Sequence, residues 1–259
     1  MATGVLDRKR LLSVGSTAGF VIVAGYTIIR TVRIDSRHEW HVSAAQAQEI
    51  QVSLAEKVVT DYEAGDHRLI AGVDVSSPRV RGPARAAVVV LSYPELKTVE
   101  ARTVEGELPF PYVPGLLSFR ESPLILAAFE RVRNAPDLVL VDGQGIAHPR
   151  RLGLASHLGL FLDRPTIGCA KSILCGCHEA LGDERGSHAQ LFDRGDCIGA
   201  ALRTRSGVRP IYVSVGHKID LASSLQWVLE CSRGYRLPEP IRLAHLVASG
   251  QQLPLSRVQ

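Results

Sequence analysis

Apolar and polar positions repeat along this chain with two periods. Ser43 to Val59 has the helical one: Ala45, Ile50, Val52, Leu54, Ala55, Val58 and Val59 fit a helix with one packed face, and Ser43 suits the N-cap. The next stretches read as strands. Arg68 to Ser76 and Arg85 to Ser92 are rich in β-branched residues, and Leu96 to Val104 alternates as a half-exposed strand does. Short links between them predict antiparallel pairing. Ser122 to Asn134 reads as a helix with Pro123 in its first turn. Leu138 to Val141, four aliphatic residues between Asp137 and Asp142, is a strand buried on both faces. A helix near Arg151 to Leu162 and a strand at Thr166 to Ala170 follow. Residues 178–196, rich in glycine and charge, read as an exposed excursion. Strands at Ile198 to Thr204 and Ile211 to Val215 lead to helices at Leu221 to Cys231 and Pro240 to Ala248. The order predicts an α/β fold, a mixed sheet of three antiparallel strands then parallel strands, covered by helices.

With 259 residues, 46% of them hydrophobic, the chain can bury one large core. Residues 11–29 carry no charge and lie between Arg10 and Arg30, close to the ~20 residues that a membrane-crossing helix needs. They read as a marginal membrane segment, or as residues ahead of a true start near Val32. The expected organisation is an extension over 1–36, one domain over 37–250 and a tail over 251–259. A net charge of +4 admits a nucleic-acid partner without requiring one. Five cysteines without framework spacing point to a reducing compartment and free thiols, and Cys175-Gly176-Cys177-His178 lacks the second ligand pair of a zinc site. The expected setting is the cytoplasm, with a membrane location only if residues 11–29 insert, and the expected state is a monomer.

Asp74 and Asp142 each end a predicted core strand, and Glu121 precedes a predicted helix. Converging carboxylates repel unless a divalent cation lies between them, and an all-oxygen set selects Mg²⁺, with Mn²⁺ as substitute, over zinc. Such a cation polarises a phosphoryl oxygen and helps to ionise water. Gly143 and Gly145 let a base or phosphate approach the backbone beside Asp142. Arg120, Arg150 and Arg151, on loops around the acids, could neutralise phosphates.

Several segments, in order, resemble the endonuclease V family. They are Gly72-Val73-Asp74-Val75-Ser76, Tyr112 to Glu121, and Val141-Asp142-Gly143-Gln144-Gly145 with His148-Pro149-Arg150. Ala155-Ser156-His157, Ala170-Lys171-Ser172, Val215-Gly216-His217 and Gly234 to Pro240 follow. The resemblance covers about residues 37–250. It implies an RNase H-like fold and Mg²⁺-dependent cleavage of the second phosphodiester bond 3′ to deoxyinosine in DNA, leaving a 3′-hydroxyl and a 5′-phosphate. By the same resemblance Asp74, Asp142 and Glu121 hold the metal, Lys171 holds the scissile phosphate and His217 stands near the metal, with Asp220 competing for that place. Pro111 to Pro114 would be a strand-separating wedge with Tyr112 as its stacking ring; Gly115, Leu117, Gly143 and His148 would form the base pocket. Inosine in RNA is the alternative substrate. A non-catalytic nucleic-acid-binding module tethered to a membrane is the alternative from another class, and it gives no reason to gather repelling acids.

Overall fold

Parallel pairing is confined to the middle of the sheet, and that is where three strands end together. The computed structural model of the chain describes residues 20–21, 29–61, 65–77 and 82–255. The elements are β1 (Phe20–Val21), β2 (Ile29–Arg30), α1 (Ala44–Ala55), β3 (Leu69–Ser76), β4 (Ala84–Ser92), β5 (Thr98–Gly106), α2 (Leu117–Phe129) and β6 (Leu138–Val141). They continue with α3 (Leu154–Leu162), β7 (Thr166–Ala170), β8 (Cys177–His178), β9 (His188–Asp193), β10 (Asp196–Leu202), β11 (Ile211–His217), α4 (Leu221–Glu230) and α5 (Glu239–Ala248). Nine strands form one sheet in the order β5-β4-β3-β6-β7-β11-β10-β9-β8. β3 pairs parallel with β6, and β6 with β7; β3, β4 and β5 are antiparallel, as are β7, β11, β10, β9 and β8 in turn.

Alternation along the strands makes two cores. Ile70, Leu138, Leu140, Ile167 and Val213 face α4 and α5, whereas Ala71, Val73, Val139 and Val141 face α2 and α3. At Gly72 a side chain would overlap the Pro240 carbonyl, so α5 lies directly on β3. Ser43 caps α1, as its sequence predicts, and forms a capping box with Gln46.

Two predicted elements differ. α2 starts at Leu117 rather than Ser122, and Pro123 lies inside it. Leu116 and Phe119 are fully buried, and anchoring them outweighs the hydrogen bond that Pro123 cannot make. The excursion contains β9, which pairs with β10 across the turn at Arg194 and Gly195, both at positive φ.

Packing begins ahead of residue 37: Val32 and Ile34 lie on the α2/α3 core, and the Asp35 N–H donates to the Phe161 carbonyl. The apolar run 11–29 lies outside the described residues, apart from Phe20–Val21 and Ile29 in the β1/β2 pair. Among the described residues no helix is long and apolar enough to cross a membrane. All five cysteines are free thiols.

Candidate active site

The parallel register brings the ends of β3, β6 and β7 side by side. Val73 lies beside Val141 and Val141 beside Gly168, so Asp74, Asp142 and Lys171 project from one edge of the sheet. Glu121 comes from the second turn of α2. Burial first, then repulsion from Asp74 and Asp142, lifts the Glu121 carboxyl to about 8. Asp74 is raised for the same reasons, burial before Asp142, against the pull of His245 and Lys171. Glu121 and Asp74 thus share one field and resist ionising together. Lys171 Nζ donates to Asp142 Oδ2, and His245 Nδ1 donates to Asp74 Oδ2 at 2.7 Å. Two of the three acids therefore engage donors of the chain itself, and among the described residues no three His, Cys, Asp or Glu side chains form a ready ligand set. The donor chemistry, three carboxylates held together against their repulsion, suits a hard divalent cation and not zinc.

A cavity of about 320 Å³ opens beside the acids on the α2/α3 side. Tyr112, Pro114, Gly115 and Leu117 form one wall, and Gly143, Gln144 and His148 another; Asp142 and Lys171 line both the cavity and the acidic cluster. Tyr112, 73% exposed, stands on the rim. The first N–H groups of α2, at Leu117 and Ser118, have no acceptor within the helix and end at this cavity.

Gly115, at φ +78, is fixed by its carbonyl, which accepts from Gln51 Nε2 (3.0 Å), His148 Nε2 (2.9 Å) and Arg150 Nη2 (3.0 Å). Arg150 Nε also donates to Gln51 Oε1 at 2.6 Å, closing the clamp. The Arg150 backbone N–H donates to His148 Nδ1, which leaves the His148 proton on Nε2. Burial holds His148 neutral by pushing its pKa to about 4. A side chain at Gly145 would overlap the Val215 carbonyl, so the loop after β6 presses flat against β11.

The sequence expectations for five residues need correction. His217 is remote from the acids: β11 runs antiparallel to β7, setting His217 opposite Thr166 at the far end, about 13 Å along the strand from Ala170 at ~3.3 Å per residue. There it is 3% exposed and accepts from the Val59 N–H. Asp220 caps α4 at the same remote end. Arg150 holds Gly115, and Arg120, on α2 and not on a loop, donates to the Phe110 carbonyl, so both brace the cavity loop. Arg151 is paired with Asp193 and Asp196. His245 and Gln51 escaped the sequence reading. Each is one polar residue on an amphipathic helix, and only the docking of α5 on Gly72 and of α1 on the Gly115 loop gives them partners.

The model of the endonuclease V family matches residues 52–246. Endonuclease V of Dehalococcoides mccartyi is 53% identical over 218 residues, which are 84% of this chain and 98% of that protein. The crystal structure of endonuclease V from Streptomyces avermitilis superposes with a TM-score of 0.77 at 42% identity, covering 85% of this chain and 96% of that one. Ciona intestinalis endonuclease V, in complex with a DNA containing an inosine followed by a ribo-adenosine, matches with a TM-score of 0.68 at 28% identity, covering 80% of this chain and 97% of that one. Both structures share the sheet that here carries Asp74, Asp142 and Lys171 on one edge, and with the family match over three quarters of its length this chain belongs to the endonuclease V family of nucleases.

Proposed function

We propose that this nuclease recognises deoxyinosine in DNA and hydrolyses the second phosphodiester bond 3′ to it, leaving a 3′-hydroxyl and a 5′-phosphate. The observation that carries the reading is the double membership of Asp142 and Lys171, in the cavity wall and in the acidic cluster. A base held in the cavity brings the backbone that follows it on the 3′ side to the acids. At about 320 Å³ the cavity is at the small end of ligand pockets, with room for one extruded base and none for a duplex. The inosine-containing DNA bound by the Ciona relative supports the same substrate class.

Extrusion costs a few kcal/mol, least for a weakly paired base, and the exposed Tyr112 ring offsets it by stacking into the gap. The free N–H groups at the start of α2 donate to the 6-oxo group that distinguishes hypoxanthine from adenine. The clamp on Gly115 keeps this wall in place.

Asp74, Glu121 and Asp142 would hold Mg²⁺, and Mn²⁺ would serve in its place. The cation supplies, when bound, charge to polarise the phosphoryl oxygen and acidify water. Lys171, now on Asp142, is placed to hold a non-bridging oxygen of the scissile phosphate. His245 keeps Asp74 oriented and favours its ionised form.

The test is incubation of the purified protein with Mg²⁺ and matched oligonucleotides containing deoxyinosine, adenosine or ribo-inosine, with the cut position mapped. Nicking of the deoxyinosine strand one nucleotide beyond the lesion is expected. Folded protein that leaves this strand intact overturns the proposal, and faster cutting of the RNA reassigns the substrate to inosine in RNA.

A further inference from the structure

The cavity and the acids account for the α2/α3 side of the sheet edge; the α5 side carries an aromatic and cationic surface that this reading leaves without a task. Tyr235 is 51% exposed, and the Arg242 guanidinium lies over its ring, 4.4 Å from the centroid. Arg242 also pairs with Glu239, which fixes the guanidinium in that pose. Two links tie the stack to the acids. Arg242 precedes His245 by three residues on α5, so both lie on one helix face, and His245 is bonded to Asp74. Arg236, next to Tyr235, donates from Nη2 to the Lys171 carbonyl at 2.7 Å and to the Pro210 carbonyl at 2.8 Å. Its charge rests on carbonyls, and the exposed Arg209 stands close enough to add to burial in lowering its pKa. Two crowded cations beside a half-exposed tyrosine form a surface suited to a polyanion with stacking rings.

The two sides of the edge define a path. The cavity opens on the α2/α3 side, while Asp74 turns toward α5 and meets His245 there. A strand with its base in the cavity and its phosphate over the acids continues past Asp74 onto the α5 side. Because the proposed cut is 3′ of the base, the continuing segment is the 3′ one. We infer, on the strength of the substrate reading above, that Tyr235 on its Arg242 support stacks on a base of the strand 3′ of the cleaved bond, with Arg209 and Arg236 holding its phosphates. The surface grips the strand as single-stranded nucleic-acid grooves do, by ring faces and charge and without reading sequence.

The full chain carrying Asp142→Asn, which leaves the strand intact, is titrated with a deoxyinosine strand bearing 2-aminopurine at one position 3′ of the expected cut. Stacking on Tyr235 quenches the fluorophore; Tyr235→Phe retains the quench and Tyr235→Leu abolishes it. Loss of the stack weakens binding about tenfold. A strand that ends at the expected cut loses the same factor, and the two losses do not add, which a general disturbance of the fold would not reproduce. A strand still quenched by Tyr235→Leu, or a shortened strand bound as tightly as the full one, overturns the inference. Absence of any preference for deoxyinosine over adenosine in the same titration removes the substrate reading instead, and the inference with it.

Discussion

His245 Nδ1 lies 2.7 Å from Asp74 Oδ2, joining the last turn of α5 to the mouth of β3 across 171 positions of sequence. The carboxylate is largely buried and its other neighbours include a second acid, so the hydrogen bond from the imidazole is what orients it. An oriented ligand carboxylate is worth more to a cation than a free one, because the cation does not have to order it.

His245→Ala should therefore reduce cleavage by about 10- to 100-fold, the usual cost of losing a group that orients a metal ligand. The loss should appear chiefly as a higher Mg²⁺ requirement, with binding of the deoxyinosine strand little changed. His245→Gln, which can still donate to Asp74, should recover part of it. A Mg²⁺ titration of the initial nicking rate checks this; equal Mg²⁺ requirements for wild type and His245→Ala would remove His245 from the site.

Glu121 predicts a proton count. With its carboxyl lifted to about 8, it holds close to one proton at pH 7, and a cation that uses it must displace that proton. Calorimetry in two buffers of different ionisation enthalpy should register release of about one proton per cation at pH 7, falling toward zero above pH 9. Glu121→Gln should remove the release together with most of the affinity. Cation binding without proton release at pH 7 would contradict the arrangement.

The placement of Asp74 and Asp142 was legible because it depends on local signals: an aliphatic run ending in an acid is a core strand with its carboxylate at the sheet edge, and two parallel neighbours then share that edge. His217 ends an equally clear strand, yet nothing within Ile211–His217 states that it runs against β7. One reversed strand carries a residue from the near edge to the far one. His245 was hidden for the complementary reason, since its partner is chosen by the docking of α5 on Gly72, a contact between backbones. The start of α2 was misplaced because Pro123 is a strong local signal and the burial of Leu116 and Phe119 is a distant one. The arginines illustrate the same limit: Arg150 looks like any loop cation until Gln51 and Gly115 are seen around it.

The clamp on Gly115 predicts an effect on selectivity. Gln51→Ala removes one donor from the Gly115 carbonyl and leaves Arg150 Nε without its acceptor. Each lost hydrogen bond to a charged or buried group costs about 1–3 kcal/mol, felt here as freedom of the Gly115 loop. The preference for deoxyinosine over adenosine should fall about tenfold, with the Mg²⁺ requirement unchanged because no acid moves. Measuring kcat/KM on the two strands checks this. Arg150→Lys should act in the same direction, since an ammonium cannot reach both Gln51 and Gly115 with the fixed geometry of a guanidinium. Unaltered selectivity in both variants would reduce the clamp to a packing feature.

His217 makes the last prediction, on stability. Burial pushes its pKa down to about 4, and the Val59 N–H already occupies the Nδ1 lone pair that a second proton would need. The folded protein therefore binds this proton less readily than the unfolded chain, whose histidine titrates near 6.5. Between those values the unfolded state carries the extra proton, so stability is full above pH 6.5 and declines as the pH falls toward 4. At pH 5 the loss from this group alone is about 2 kcal/mol relative to pH 7.5. His217→Gln, whose side-chain carbonyl can accept from Val59, does not titrate and should lose that much less over the same interval, although other groups make both proteins weaker in acid. Urea denaturation at pH 7.5 and pH 5 measures the difference; equal losses in the two proteins would mean that His217 accepts its proton without disturbing the fold.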